Sequence, residues 1–129
     1  MVIVISKEYK IAGDPVPLAR PRASLTCKMW DAQKQVKLAR GLQLRNQHGD
    51  LPFFNGPLHI DATFYFEPPK KKDLGSLHVY KPDLSNLVKF LEDIATGVLY
   101  KDDCLIASTS AKKCYADQAA TVFTIKQLT

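Results

Sequence analysis

From residue 58 to residue 67 apolar and polar positions alternate: Leu58, Ile60, Ala62, Phe64 and Phe66 fall on one side, and His59, Asp61, Thr63, Tyr65 and Glu67 on the other. A period of two is that of a half-buried β-strand. Further along, the period lengthens. Leu84, Leu87, Val88, Leu91, Ile94 and Ala95 recur at helical spacing and predict a helix over residues 84–96. Asp83 stands where it can cap that helix, and Gly97 where a left-handed residue would end it. Residues 31–48 are rich in helix formers and predict a second helix, with a thin apolar stripe of Ala32, Val36, Ala39 and Leu42. Residues 2–12 read as a strand, and residues 104–115 and 119–128 as two closing strands joined by a short turn at 116–118. Residues 13–22 hold Pro15, Pro17 and Pro21 and form an extended loop, and residues 68–81 a basic one. The order strand, helix, strand, helix, strand, strand gives an α+β domain: a small mixed β-sheet with two helices packed on one face.

Composition adds bounds. A chain of 129 residues makes one domain, residues 1–129. It has little surface to spare for a deep enclosed pocket, so a shallow site or a dimer interface is the natural outcome. Eighteen basic against thirteen acidic residues, net +5, suit a polyanionic partner. Cys27, Cys104 and Cys114 are scattered and odd in number, with no Cys-x-x-Cys pair. That argues against a zinc site or a disulfide framework and for free thiols, buried as small hydrophobes, in a reducing compartment. The apolar start is a strand rather than a signal peptide, and nothing reaches the length of a membrane span.

The acidic residues carry the chemistry. A helix over residues 84–96 is roughly 20 Å long. If Gly97 turns the chain and residues 98–103 run back extended, they cover roughly the same 20 Å, and Asp103 arrives beside Asp83. Lys89 leans back toward the same spot, because helical side chains tilt toward the N-terminus. Two carboxylates and a lysine suit phosphodiester cleavage: hard oxygen ligands hold Mg²⁺, and the lysine stabilises charge on the phosphate. The plainer alternative is that Asp83 is only a cap and Asp102-Asp103 only a turn.

The run Lys81-Pro82-Asp83-Leu84-Ser85-Asn86-Leu87-Val88-Lys89, then Glu92-Asp93, then Tyr100-Lys101-Asp102-Asp103, resembles the signature of the RusA family of Holliday junction resolvases. The family pattern is a basic or Pro position, Asp-x-Asp-Asn-x-x-Lys, a helix with an internal Asp, and a closing Asp-Asp. Gly13-Asp14-Pro15-Val16-Pro17 and Arg20-Pro21-Arg22 resemble its N-terminal loop, so the likeness touches most of the chain in matching order. The resemblance implies a Mg²⁺-dependent endonuclease, with Mn²⁺ able to substitute, that cuts four-way DNA junctions as a homodimer, with no organic cofactor and a cytoplasmic, nucleoid-associated location. It places the catalytic residues at Asp83, Lys89 and Asp103, and supporting ones at Asn86 and Asp93. One position departs: the family's second motif aspartate is Ser85 here. A serine hydroxyl still coordinates Mg²⁺ but brings no charge, so Asp102 or Asp61 would have to compensate.

Arg20 and Arg22 in the Pro-braced loop, with Lys70, Lys71, Lys72 and Lys81, are candidate DNA contacts, or else ordinary solvated charge. Lys112 and Lys113 alternate faces on a strand, so at most one points to DNA. Phe53 and Phe54 read as core or dimer contacts more readily than as a wedge between bases. His48, His59 and His78 share no ligand spacing. Two further readings stand beside the nuclease. One is a junction-binding protein without chemistry, with Ser85 marking the loss; the other is an interaction protein whose basic surface meets an acidic partner.

Overall fold

The strand with the cleanest alternation lies in the interior of the sheet. The computed structural model describes residues 5–19 and 33–128, as strands β1 (Ser6–Ala12), β2 (Leu58–Phe66), β3 (Ile106–Tyr115) and β4 (Ala120–Gln127) and helices α1 (Lys34–His48) and α2 (Leu84–Ala95). The four strands form one mixed sheet in the order β1-β4-β2-β3. β2 pairs antiparallel with β4 and parallel with β3. The two closing strands are therefore not neighbours, and the turn between them carries the chain across the end of β2. Ala116 N–H donates to Phe66 O there (2.9 Å).

The alternation of β2 is realised: Leu58, Ile60, Ala62 and Phe64 are buried, and join Tyr9, Ile11, Phe123 and Ile125 on one sheet face. Leu87, Phe90, Leu91, Ile94 and Ala95 of α2 and Leu44 of α1 complete that core, so both helices lie on the same face. Among the described residues no helix is long and apolar enough to cross a membrane.

The stripe by which α1 meets the sheet differs from the expected one. Ala32 lies outside the described residues; Ala39 and Leu42 are exposed. The inward line runs Val36, Arg40, Leu44, His48, at a spacing of four. Two of its members are polar, each held by fixed partners, which is why hydrophobic periodicity misses it. Arg40 Nη1 donates to Ala12 O (2.8 Å). The buried His48 ring meets Tyr9 Oη at Nδ1 (2.6 Å) and Pro52 O at Nε2 (3.1 Å). A carbonyl only accepts, so Nε2 donates to Pro52, and in that tautomer Nδ1 accepts the Tyr9 proton.

Burial pushes the Tyr9 hydroxyl up to about 12. An unfolded tyrosine ionises near pH 10, so between pH 10 and 12 the unfolded chain gives up a proton that the folded one keeps. The contribution of this group to stability is expected to be constant below pH 10 and to fall above it, by about 1.4 kcal/mol per pH unit. The buried Tyr100, also raised by burial, acts in the same direction. Urea melts at pH 8, 10 and 11 check this. Tyr9→Phe should flatten the alkaline decline; an unchanged slope would contradict the assignment.

Between β2 and α2 the chain is tied to the end of β3. Gly75 N–H donates to Tyr115 O and Tyr115 N–H to Ser76 O (both 3.0 Å), and His78 N–H donates to Lys113 O (3.0 Å). The His78 ring stacks on Phe66, centroids 4.4 Å apart, and lies 5.0 Å from that of Tyr115. This segment delivers the chain to the start of α2.

Candidate active site

Helix α2 begins where the backbone of Asp83 leaves the extended region (φ −68°, ψ 137°). The Asp83 carbonyl accepts from the N–H groups of Asn86 (3.1 Å) and Leu87 (3.2 Å). Its carboxylate makes no capping hydrogen bond, so capping does not account for this side chain. Asp83 Oδ1 instead lies 2.9 Å from Lys81 Nζ, both side chains being exposed. An exposed pair of this kind contributes about 1 kcal/mol at most. Ser85 and Lys89 are exposed on the turns that follow, while Leu87, Phe90 and Leu91 point into the core. The helix thus buries its apolar side and leaves the polar motif residues in solvent.

Two neighbours fix this helix start. Leu18 N–H donates to Asn86 O (2.9 Å), laying the Pro-rich loop on the first turn of α2. Gln33 closes that loop, accepting at Oε1 from Ala19 N–H and donating through Nε2 to Pro17 O (both 2.8 Å). Arg20 and Arg22, expected to follow in the loop, lie outside the described residues, as does Cys27. From the other side, Lys113 Nζ on β3 donates to Tyr80 O (2.6 Å) and Pro82 O (2.8 Å), on either side of Lys81. Of the two strand lysines, Lys113 is thus occupied by backbone carbonyls, while Lys112 is exposed on the opposite sheet face. The sequence named Lys113 only as one of two strand lysines on alternate faces, not as a support for the start of α2.

At the other end of α2 the return is tighter than an extended run. Gly97 is left-handed (φ +80°) as expected. Val98 and Leu99 are in a turn, however, and their N–H groups donate to Ala95 O (3.1 and 2.9 Å). Burial explains the difference: Leu99 and Tyr100 are fully enclosed, so the chain tucks into the core before it emerges. Tyr100 Oη and Thr96 Oγ1 both donate to Glu92 O (3.0 and 2.8 Å). The chain surfaces at Lys101, and Asp102 Oδ1 accepts from Cys104 N–H (3.3 Å) ahead of a 3₁₀ turn, Asp103–Leu105. Cys104 is exposed rather than buried, because this turn faces solvent; Cys104 and the half-buried Cys114 are free thiols.

The electrostatics of this corner are those of crowded acids. The Cys104 N–H and a hydrogen bond with Asp103 hold the Asp102 carboxyl below its ordinary value. The Asp103 carboxyl is raised, first by the hydrogen bond with Asp102, then by loss of solvent and repulsion from Asp102 and Asp93. Glu92 is raised by burial and by the charge of Asp103, and partly relieved by Lys89. Lys89, Glu92, Asp93 and Asp103 therefore share one field on the exposed side of α2. Glu92 had a legible signal, since three residues from Lys89 is the same helix face. Asp93 also binds Lys37 of α1 (3.1 Å), tying the helices together. Among the described residues no three His, Cys, Asp or Glu side chains gather tightly enough to hold a metal ion by themselves.

Asp61 does not join this site. Its strand points it to the sheet face opposite the helices, where Oδ1 accepts from Ser110 Oγ (2.9 Å). His59 shares that face, its Nδ1 2.6 Å from Ser108 Oγ. Lys70, Lys71 and Lys72 are exposed around a 3₁₀ turn, Lys71–Asp73, and Lys81 is exposed beside Asp83. Phe54 is core, bridged to Tyr100, while Phe53 is partly exposed.

The model of the RusA endodeoxyribonuclease family matches residues 12–126. Over 136 aligned positions, 94% of this chain and 96% of the relative, the sequence is 26% identical to the uncharacterized protein YqaN of Bacillus subtilis (strain 168). Over 60 residues, 46% of each chain, it is 38% identical to the crossover junction endodeoxyribonuclease rusA of Lactococcus phage r1t.

Proposed function

The chain belongs to the RusA family of endodeoxyribonucleases, and on that premise we propose that it resolves Holliday junctions by metal-dependent phosphodiester hydrolysis. The observation that carries this reading is the family match over residues 12–126, together with Asp83, Ser85 and Lys89 exposed along α2 and Asp102 and Asp103 exposed after it. The Asp103 carboxyl is held above its ordinary value first by its hydrogen bond with Asp102, then by loss of solvent and by repulsion from Asp102 and Asp93, and a divalent cation bound there would favour its charged form. The donor set is made of hard oxygens, which suits Mg²⁺ or Mn²⁺. Asp83 and Asp103 would hold the ion, with Asp102 and the hydroxyl of Ser85 as further donors. When bound, the ion would supply an activated water and neutralise charge on the phosphate.

The chain's own residues do the rest. Lys89, exposed between the two aspartates in sequence, donates to the phosphate oxygens as negative charge builds on them. Asn86 anchors the N-terminal loop through its carbonyl, and Asp93 anchors α1 through Lys37. Arg20, Arg22, Lys70, Lys71, Lys72 and Lys81 contact the DNA backbone and set register rather than sequence preference. A four-way junction has two symmetric strands to cut, so a two-fold homodimer with one site per protomer matches it. The protein would then act where chromosomal or invading DNA recombines, in the cytoplasm at the nucleoid.

Ser85 favours one second reading. It is exposed on the first turn of α2 and supplies an uncharged oxygen, so the protein would bind junctions and cut them slowly. Cleavage of an end-labelled four-way junction, titrated with Mg²⁺ and with Mn²⁺, separates the two. On the resolvase reading the wild type cuts junction in preference to duplex, and Ser85→Asp lowers the metal concentration for half-maximal rate roughly tenfold. A wild type that only binds, beside a Ser85→Asp variant that cuts, would establish the second reading. No preference for junction over duplex in binding or cutting would remove both.

A further inference from the structure

Among the described residues, helix α1 leaves an apolar strip uncovered on the side away from the sheet. Leu38 and Leu42, one turn apart, are 65% and 56% exposed. With Ile94 in the last turn of α2 and Val98 in the turn after it they floor an open groove of about 550 Å³ between the helices. Isolated exposed leucines need no explanation, but two on one helix face at the floor of a groove mark a contact surface. The rim is cationic: Lys34 and Arg45 stand at its two ends, and Lys37 lies between them, paired with Asp93. α1 carries Lys34, Lys37, Arg40 and Arg45 and no acidic residue.

We propose that this groove docks an acidic amphipathic helical segment of a partner protein. The charge pattern decides the occupant. A second copy presenting its own α1 would bring two acid-free cationic helices together, and like charges across an interface are unfavourable. A nucleic acid would satisfy the rim, but its phosphates leave the leucines in water, and among the described residues the groove is lined by no aromatic ring on which a base could stack. An amphipathic helix answers both features: apolar side chains at spacings of three and four fill the floor, and acids on its flanks meet Lys34 and Arg45. The distance along α1 from Lys34 to Arg45 is roughly 16 Å, about three turns, which is the reach of such a segment. The partner would be held on the α1 side of the molecule, tethered to the enzyme through residues outside its proposed catalytic set.

The test uses the full chain and a fluorescein-labelled peptide of about eleven residues with leucines on one helical face and glutamates on the others. Micromolar binding by fluorescence anisotropy is expected. Leu38→Gln combined with Leu42→Gln should weaken it about tenfold or more, and Arg45→Glu about as much at low salt, with junction cleavage and thermal stability unchanged. Equal binding of a peptide with alanines for the leucines would reduce the groove to a charge effect and overturn the proposal. So would displacement of the peptide by a single-stranded oligonucleotide that itself loses affinity in the leucine variant, which would make the groove a DNA surface. A wild-type dimer that dissociates on Leu38→Gln and Leu42→Gln would make it a self-interface, and no binding of the acidic peptide would leave the groove without the proposed occupant.

Discussion

Asp103→Asn and Asp83→Asn are each expected to lower junction cleavage by roughly a hundredfold or more, with junction binding retained. Asparagine keeps the shape of each side chain and removes the charge that would bind a divalent ion. Both positions are exposed, so the fold should be indifferent: substitutions at such sites change stability by about 0.5 kcal/mol or less. The two arrive at the same loss by different routes. At position 103 the change also removes the charge that, after burial, raises the Glu92 carboxyl. At position 83 it frees Lys81 from its 2.9 Å partner, so affinity for DNA should rise slightly rather than fall. Asp102→Asn should cost less than either, because the amide oxygen can still accept from Cys104 N–H and hold the turn. Single-turnover cleavage, gel shift in Ca²⁺ and thermal melting separate chemistry from binding and from folding. Cleavage by Asp103→Asn within a few fold of wild type would remove that carboxylate from the proposed site.

The sequence was readable where a single periodic rule governs a segment. β2 alternates and α2 repeats at helical spacing, and in both the buried residues are among those the pattern names, with Phe66, Leu84 and Val88 half-buried and Phe90 added to α2. It was less readable where polar groups are buried by pairing. α1 meets the sheet through Arg40 and His48 as well as Val36 and Leu44, and no hydrophobicity rule finds a stripe whose polar members are satisfied by Ala12, Tyr9 and Pro52. Strand order was also hidden. The short link between β3 and β4 reads as the turn of adjacent strands, yet β2 lies between them, parallel to β3 and antiparallel to β4.

The same division applies to the candidate site. Residues in one helix or one turn are fixed by local geometry, so Asp83, Ser85 and Lys89 come out along the exposed side of α2, and Asp102 pairs with Asp103. The path between them depends on where Leu99 and Tyr100 are buried, and an extended-chain estimate has no way to include that. The tight turn brings Asp103 into the field of Glu92 and Asp93, two acids that the distance argument left aside. Asp61, offered as a substitute by its polar position alone, is excluded by the sheet face on which it sits.

Lys113 is where structure and sequence part most, and Lys113→Met is expected to slow cleavage by roughly ten- to a hundredfold. The residue is about thirty positions from the motif it supports, on a strand with no chemistry of its own. Its ammonium holds Tyr80 O and Pro82 O, the carbonyls on either side of Lys81 and immediately before Asp83. Without it that segment is held from its other end by His78 N–H on Lys113 O, a main-chain bond the substitution leaves in place. The loop therefore stays attached to β3, while the last residues before α2 gain freedom and Asp83 loses its fixed direction. A displacement of about 1 Å at a reacting group is enough for a loss of this size. Because Lys113 acts through position, its signature is a rise in the Mg²⁺ concentration for half-maximal rate, with junction affinity in Ca²⁺ and thermal stability little changed. Lys113→Arg, which can still donate to both carbonyls, should recover most of the rate. An unchanged Mg²⁺ midpoint in Lys113→Met, or equal loss in the arginine variant, would show that the clamp on Tyr80 and Pro82 has no part in placing Asp83.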